Sequence, residues 1–248
     1  MKNWDEIPLV TAQVMACKAD WHYLRRSLAS VAAQTVECEV QVMFDGEPPE
    51  ELERDLTDNP IVDCLLLGTE REYGYYTMPR NVGTMFVRSP YVAFLDADNE
   101  WEKDHLEKLL QAIRVPDPVQ GWPAFVYSRI RYVRDEGAPE DCPAGDGAHV
   151  PWEHYAGKLL EGPMSNFVDS SSMLWSKGAL YRLAELSGTM WNPQCRRFGD
   201  WDLVKRAYEC GLRGRAVDNL SNVYHWTGKN VQLTRDAGLV AHKRMGEV

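Results

Sequence analysis

Two carboxylates, Asp96 and Asp98, stand one residue apart at the end of the run Tyr91-Val-Ala-Phe-Leu-Asp-Ala-Asp-Asn99. The apolar part of that run reads as a buried strand, and in open α/β sheets ligands bind beyond the carboxyl ends of strands. Hard cations such as Mg²⁺ and Mn²⁺ take oxygen ligands, commonly one or two carboxylates plus the phosphates of a substrate. The pair therefore points to a divalent cation held against a phosphorylated ligand. Taken alone, an Asp-x-Asp triplet is as readily a turn or a helix cap. Its position after a buried strand favours the cation.

Four further segments carry residues able to do chemistry. Arg80-Asn-Val-Gly83 opens a helical stretch upstream of the acidic strand, where Arg80 could be a solvated helix residue and Gly83 a packing concession. Gln41-Val-Met-Phe-Asp45-Gly46 is a second strand ending in Asp, although Asp-Gly is also a turn signal. Arg197-Phe-Gly-Asp-Trp-Asp-Leu203 places Asp200 before a helical run, a frequent position for a capping Asp. Val223-Tyr-His-Trp-Thr-Gly-Lys229 puts His225 in an aromatic strand, where a lone His is usually a hydrogen-bonded core residue. His149 and His154 lack the four-residue spacing that aligns metal ligands on a helix and are assigned no metal. The six cysteines are scattered without a CxxC pair, which fits reduced thiols rather than a zinc site.

The elements that must position these groups alternate in the first half of the chain. Strands are predicted at about Val10 to Ala16, Glu39 to Phe44, Ile61 to Leu67 and Tyr91 to Leu95. Between the first two, Tyr23, Leu24, Leu28, Val31 and Ala32 recur at helical spacing. Pro48-Pro49 opens a short acidic helix, Met78 to Val87 reads as another, and Leu106, Leu109, Leu110 and Ile113 form one face of a third. This is the β-α-β signature of an α/β fold around a mostly parallel sheet. Residues 135 to 163, rich in Gly, Pro and acids, read as a long surface loop. Beyond it we expect a strand through Phe167 to Trp175, helices near Lys177 to Leu186 and Trp201 to Cys210, and a strand near Asn222 to His225. Asp169-Ser-Ser-Ser172 could line a second substrate or simply form a turn.

With 248 residues, 44% of them apolar, the chain can bury the core of one large α/β domain or two small ones. Its net charge of −10 disfavours extended nucleic-acid binding and suits a site that collects a divalent cation. No apolar run approaches the roughly 20 residues of a transmembrane helix, and the N-terminus lacks a secretory signal, so a cytoplasmic location is expected.

Taken together, the motif order resembles that of the family-two glycosyltransferases. The counterparts are Tyr23-Leu-Arg-Arg-Ser-Leu-Ala-Ser-Val-Ala-Ala-Gln-Thr35, Met43-Phe-Asp-Gly46, Arg80-Asn-Val-Gly83 and Leu95-Asp-Ala-Asp-Asn99. The resemblance implies a single GT-A, Rossmann-like domain whose residues 1–115 bind a nucleotide-sugar donor and 116–228 carry the acceptor side and the base. Residues 229–248 would form a lid or tail. It implies Asp45 at the nucleobase, Arg80 and Asn81 shaping the nucleotide site, Asp96 near ribose or metal, and Asp98 as a direct ligand of Mn²⁺ or Mg²⁺. His225 would add a metal ligand, Lys229 could meet the diphosphate, and Asp200 would be the base of an inverting transfer to an acceptor hydroxyl of unknown identity. The chain departs from the family pattern at Ala16-Cys17-Lys18, at Phe44 and at Gly199. Base identity stays open, with a uridine diphosphate sugar as the default. A sugar-nucleotide pyrophosphorylase is the enzymatic rival, although Val14-Met-Ala-Cys-Lys-Ala-Asp20 lacks its glycines. A donor-binding module without turnover is the other.

Overall fold

The structure is a computed structural model, and it describes residues 7–17, 20–67, 76–119, 121–162, 166–195 and 198–227. Largely apolar runs make the first strands: β1 (Val10–Cys17), β2 (Cys38–Asp45), β3 (Cys64–Leu67) and β4 (Tyr91–Asp96), mostly buried except β3, which is half-buried over Cys64 to Leu66. They pair in parallel in the order β3-β2-β1-β4, with Cys17 opposite Asp45 and Met15 opposite Asp96. That register brings the carboxyl ends of β2, β1 and β4 to one edge of the sheet.

The crossovers are helices α1 (Leu24–Ala32), α2 (Glu50–Thr57) and α3 (Thr77–Phe86). Gly83 lets α3 lie close on the sheet: a Cβ there would stand 2.3 Å from Met43 Sδ and 2.8 Å from Gln41 Oε1. The packing role read for Gly83 is the one observed. A short β5 (Glu100–Trp101) and α4 (His105–Ile113) follow.

The second half extends the same sheet. It adds β6 (Phe125–Arg134), β7 (Gly145–Asp146), α5 (Trp152–Lys158), β8 (Met173–Ser176), α6 (Lys177–Ser187), α7 (Gly199–Glu209) and β9 (Gly214–Trp226). The full order is β3-β2-β1-β4-β8-β6-β9-β5, with β7 on β6. β6 and β9 pair in parallel; β8, β5 and β7 are antiparallel to their neighbours. Along β4, Ala93 and Leu95 join the core layer under α1 and α4, while Val92 and Phe94 join the layer under α6 and α7.

Several boundaries differ from expectation for local reasons. The β3 strand starts at Cys64 rather than Ile61 because Asn59 turns the chain, accepting the Ile61 N–H on its side chain at 3.1 Å. The strand expected from Phe167 is interrupted by a 3₁₀ turn at Ser170–Ser172, where Asp169 accepts the Ser171 N–H at 2.8 Å. Side-chain oxygens there outcompete the ladder for backbone donors. The region 135–163 is not all loop: it holds β7 and α5, with Trp152, Tyr155 and Leu159 buried. The final strand runs from Gly214, well before Asn222. No helix among the described residues is long and apolar enough to cross a membrane.

Candidate active site

Asp96 ends β4, and its surroundings are built to hold it. Arg80 Nη2 donates to Oδ1 at 2.6 Å, Ser170 Oγ donates to Oδ2 at 3.2 Å, and the backbone N–H of Asp96 donates to Ser171 Oγ at 3.2 Å. Asn99 Nδ2 reaches the same Ser171 oxygen at 3.1 Å, and Trp101 Nε1 fixes the Ser171 carbonyl at 2.7 Å. Asp169-Ser-Ser-Ser172 is thus a turn, as one reading had it, and that turn grips Asp96.

Arg80 itself is wholly buried. Its guanidinium carbon lies 4.5 Å from the Tyr76 ring centroid, 4.6 Å from Trp191 and 5.3 Å from Phe94, an aromatic cage for a cation. Among the described residues its Nε and Nη1 have no hydrogen-bond partner. Asn81 does not face outward either. Its amide takes the Trp191 N–H at 2.8 Å and donates to the Trp191 carbonyl at 2.7 Å, so it shapes the site by fixing one wall of the cage. Replacing Arg80 by Ala leaves a cavity beneath Asp96 and removes the one buried cation that faces it among the described residues. The expected loss is about 3–5 kcal/mol of stability, read from urea unfolding.

Around Asp96 gather four more carboxyls. Burial pushes Asp20 up to about 7 against the opposing Cys17 N–H, with the Asp96 charge adding to the rise. Burial, then the charges of Asp20, Asp96 and Asp169, lift Asp98 well above the carboxylate range. Asp169 is raised to about 7 by burial and by the charges of Asp96 and Asp200. Asp200 is raised to about 6 by burial, held back by the Trp201 N–H, raised again by Asp96, and lowered by Arg80 and an Asn166 hydrogen bond. The predicted Asp96, Asp98 and Asp200 therefore share one electrostatic site. Asp20 was not anticipated, since nothing in its local sequence marks a loop Asp as facing two others.

A stability consequence follows from these shifts. Native carboxyls raised above their unfolded values near 4 bind protons that the unfolded chain has released, so stability falls as pH rises through about 4 to 7. His105, held neutral by burial down to about 3, acts in the opposite direction, but only below its unfolded value near 6.5. Between about pH 6 and 8 the carboxyls dominate, and the urea midpoint should drop. An Asp169→Asn variant should show a shallower drop.

Asp200 lies in the first turn of α7, 8% exposed, its Oδ1 accepting the Trp201 N–H at 2.8 Å. Phe198 before it has φ 55°, a left-handed conformation few large residues adopt, which turns the chain into the helix. Gly199 stands where the family pattern has Glu, and the packing explains it. A Cβ there would lie 3.0 Å from Thr77 Cγ2 and 3.2 Å from the Tyr76 hydroxyl, which accepts the Gly199 N–H at 3.2 Å. The ring that cages Arg80 occupies the space of a longer side chain.

The other expected residues are placed differently. Asp45 ends β2 two strands from Asp96, about 10 Å across the sheet at ordinary strand spacing, and is buried. Phe44 beside it is core. His225 sits between carboxylates: Nδ1 is 2.8 Å from Asp135 Oδ1 and Nε2 is 2.7 Å from Glu100 Oε1. Arg26 bridges Asp135 at 2.9 Å and donates to the Asp98 carbonyl at 2.8 Å. Burial would raise Asp135, but its bonds to His225 and Arg26 outweigh that and hold it low. As arranged, both His225 nitrogens face acids, so ligation of a cation would require Glu100 or Asp135 to swing away. Lys229, and the whole lid expected over 229–248, lie outside the described residues.

Among the described residues no three His, Cys, Asp or Glu side chains converge to hold a cation by themselves. A donor set of one or two carboxylates completed by a diphosphate remains compatible with that arrangement. Among the described residues the buried carboxyls here outnumber the one fully buried cation, Arg80, which fits such an ion.

The sequence profile described as Glycosyl transferase family 2 matches residues 13–173. No curated protein sequence matches the chain. Among solved structures, the crystal structure of S. aureus TarS superposes with a TM-score of 0.61 at 16% identity, covering 87% of this chain and 36% of that one. S. aureus TarS 1-349 in complex with UDP-GlcNAc gives 0.61 at 17% identity, covering 87% and 58%. The same fragment in complex with UDP gives 0.61 at 17%, covering 87% and 60%. The chain thus spans between about a third and three fifths of these neighbours, whose likeness shows the fold. With the profile covering well over half of its residues, the chain belongs to glycosyl transferase family 2.

Proposed function

We propose that the protein is a metal-dependent, inverting glycosyltransferase that moves a sugar from a nucleoside diphosphate donor, a UDP-sugar by default, to an acceptor hydroxyl. The observation that carries this is the meeting of Asp96 and Asp98, at a strand end, with a separate carboxyl, Asp200, raised to about 6. Asp98 and Asp96 would hold Mn²⁺ or Mg²⁺, which neutralises charge on the departing diphosphate. Asp45 would lie toward the base, two strands away. Residues 1–115 then serve the donor and 116–228 the acceptor.

The chain's own chemistry is proton transfer and positioning. An acceptor hydroxyl is a weak nucleophile at neutral pH, and Asp200 takes its proton as the oxygen bonds to the anomeric carbon. The bond to the diphosphate breaks in the same displacement, so the anomeric centre inverts. A carboxyl near 6 is mostly ionised at neutral pH yet more basic than an ordinary Asp.

The rival of a donor-binding module without turnover rested on Gly199 and Phe44. Tyr76 packing accounts for Gly199, and core packing accounts for Phe44. The test is a panel of nucleoside diphosphates read by thermal shift with and without Mn²⁺. A bound ligand at 100 times its Kd stabilises by about 2.7 kcal/mol. A shift for UDP that requires Mn²⁺ supports the reading; no shift for any nucleotide would overturn it.

A further inference from the structure

Asn166 joins two places. Its Oδ1 accepts the Tyr155 hydroxyl at 2.6 Å, its amide hydrogen-bonds Asp200, and it also lines a cavity of about 590 Å³. The cavity lies along β6, which contributes Tyr127, Ser128, Arg129 and Tyr132; Phe167 and the segment from Pro143 to Val150 close it. Its volume falls within the range of small-molecule sites, roughly 300–1,000 Å³.

Resting on the glycosyltransferase reading, we propose that this cavity is the acceptor subsite and that it takes an uncharged saccharide. Three features select that ligand. Tyr127, Tyr132 and Phe167 offer aromatic surface, on which the C–H faces of a sugar ring can pack. Ser128 is 3% exposed, and among the described residues its Oγ has no hydrogen-bond partner, although buried hydroxyls ordinarily find one. Rotation of the Ser128 side chain into the cavity it lines would let a sugar hydroxyl supply that partner. Third, the charges of the wall are already balanced. Arg129, its one Lys or Arg among the described residues, meets Asp218 at 3.1 Å and the Gly147 carbonyl at 3.1 Å, while Asp146 meets Arg131 at 3.5 Å. Two histidines also line it, and His149 Nδ1 stands 3.9 Å from the same Asp218. With no Lys or Arg left over among the described lining residues, and a chain of net charge −10, an anionic acceptor is disfavoured here.

The placement also serves the reaction. Asn166 both lines the cavity and hydrogen-bonds the Asp200 carboxylate, so a sugar seated against Asn166 would lie one side chain away from the group that must take its proton.

The experiment titrates the whole chain, with UDP and Mn²⁺ present, against cellobiose, chitobiose, lactose and maltose, and against a sulfated disaccharide, by saturation-transfer NMR. At least one neutral disaccharide should bind, and more tightly than the sulfated one. Ser128→Ala should weaken it about 3- to 10-fold, the worth of one hydrogen bond. Its Tm should be unchanged or higher, because an unpaired buried hydroxyl has been removed. A merely structural role for Ser128 would instead lower Tm and leave affinity alone. Phe167→Ala should weaken binding about tenfold through lost ring contact. Binding of no neutral disaccharide, preference for the sulfated one, or affinity indifferent to both variants overturns the proposal. UDP binding is measured first on the unmodified chain: its failure sinks the glycosyltransferase reading as well, whereas UDP binding without saccharide binding sinks this site alone.

Discussion

Asp200→Asn should retain donor binding and lose transfer by about 10²- to 10⁴-fold, the usual effect of removing a general base. Asn keeps the size of the side chain and can still accept the Trp201 N–H that Asp200 Oδ1 takes at 2.8 Å, so α7 should start unchanged. The pH profile adds a second signature. A carboxylate acts as a base only when ionised, so the wild-type rate should climb with pH through about 6 and then level, and the variant should lack that limb. Transfer at the wild-type rate would reduce Asp200 to a first-turn helix residue. The alternatives then narrow, because Asp202 is held by Arg206 Nε at 2.7 Å within its own helix, leaving Asp169.

Much of the first half of the chain was legible because its signals are local. The parallel strands are short, buried and apolar, their helices show 3.6-residue spacing, and a strand that ends in Asp announces where ligands bind. The second half was less legible. In β6, Phe125-Val-Tyr-Ser-Arg-Ile-Arg-Tyr-Val-Arg134 carries three arginines, and its partner β9 holds extra residues, Asp218, Asn219 and Ser221, at register shifts opposite Ser128 to Ile130, which break the period of two that marks a strand there. α5 was hidden by the glycines, prolines and acids before it, although Trp152, Tyr155, Ala156 and Leu159 keep a helical stripe.

The site shows the same division. Asp96, Asp98 and Asp200 could be named from motifs, but their electrostatics could not, because the raised values come from burial and from acids far apart in sequence. Asp20 and Asp96 meet only because β1 and β4 are neighbours in the sheet. His225, expected as a metal ligand, lies beside the Asp98 loop, its backbone N–H bound to Asn99 Oδ1 at 3.1 Å. What no motif discloses is that Asp135 and Glu100 already flank its ring. Likewise Arg80 reads as a surface or substrate-facing cation, whereas its aromatic cage depends on Tyr76 and Trp191.

That crowding of acids sets the last expectation. Without a cation, Asp20, Asp98 and Asp169 resist ionisation through burial and the neighbouring Asp96 charge, and a diphosphate brought among them would add negative charge. Binding of UDP should therefore strengthen on the order of tenfold or more when Mn²⁺ is supplied, and more at pH 8 than at pH 6, where protons compete for the same oxygens. Asp98→Ala should abolish the Mn²⁺ dependence while leaving a folded protein, because removing a carboxyl whose ionised form burial disfavours relieves repulsion in the native state. Calorimetry with UDP over both metal and pH series reads both effects. Equal affinity with and without Mn²⁺ in the unmodified chain would show that the acids do not act through a cation. The negative charge would then have to be met by protonation alone, and UDP affinity would fall as pH rises from 6 to 8, the opposite slope to the one expected with metal.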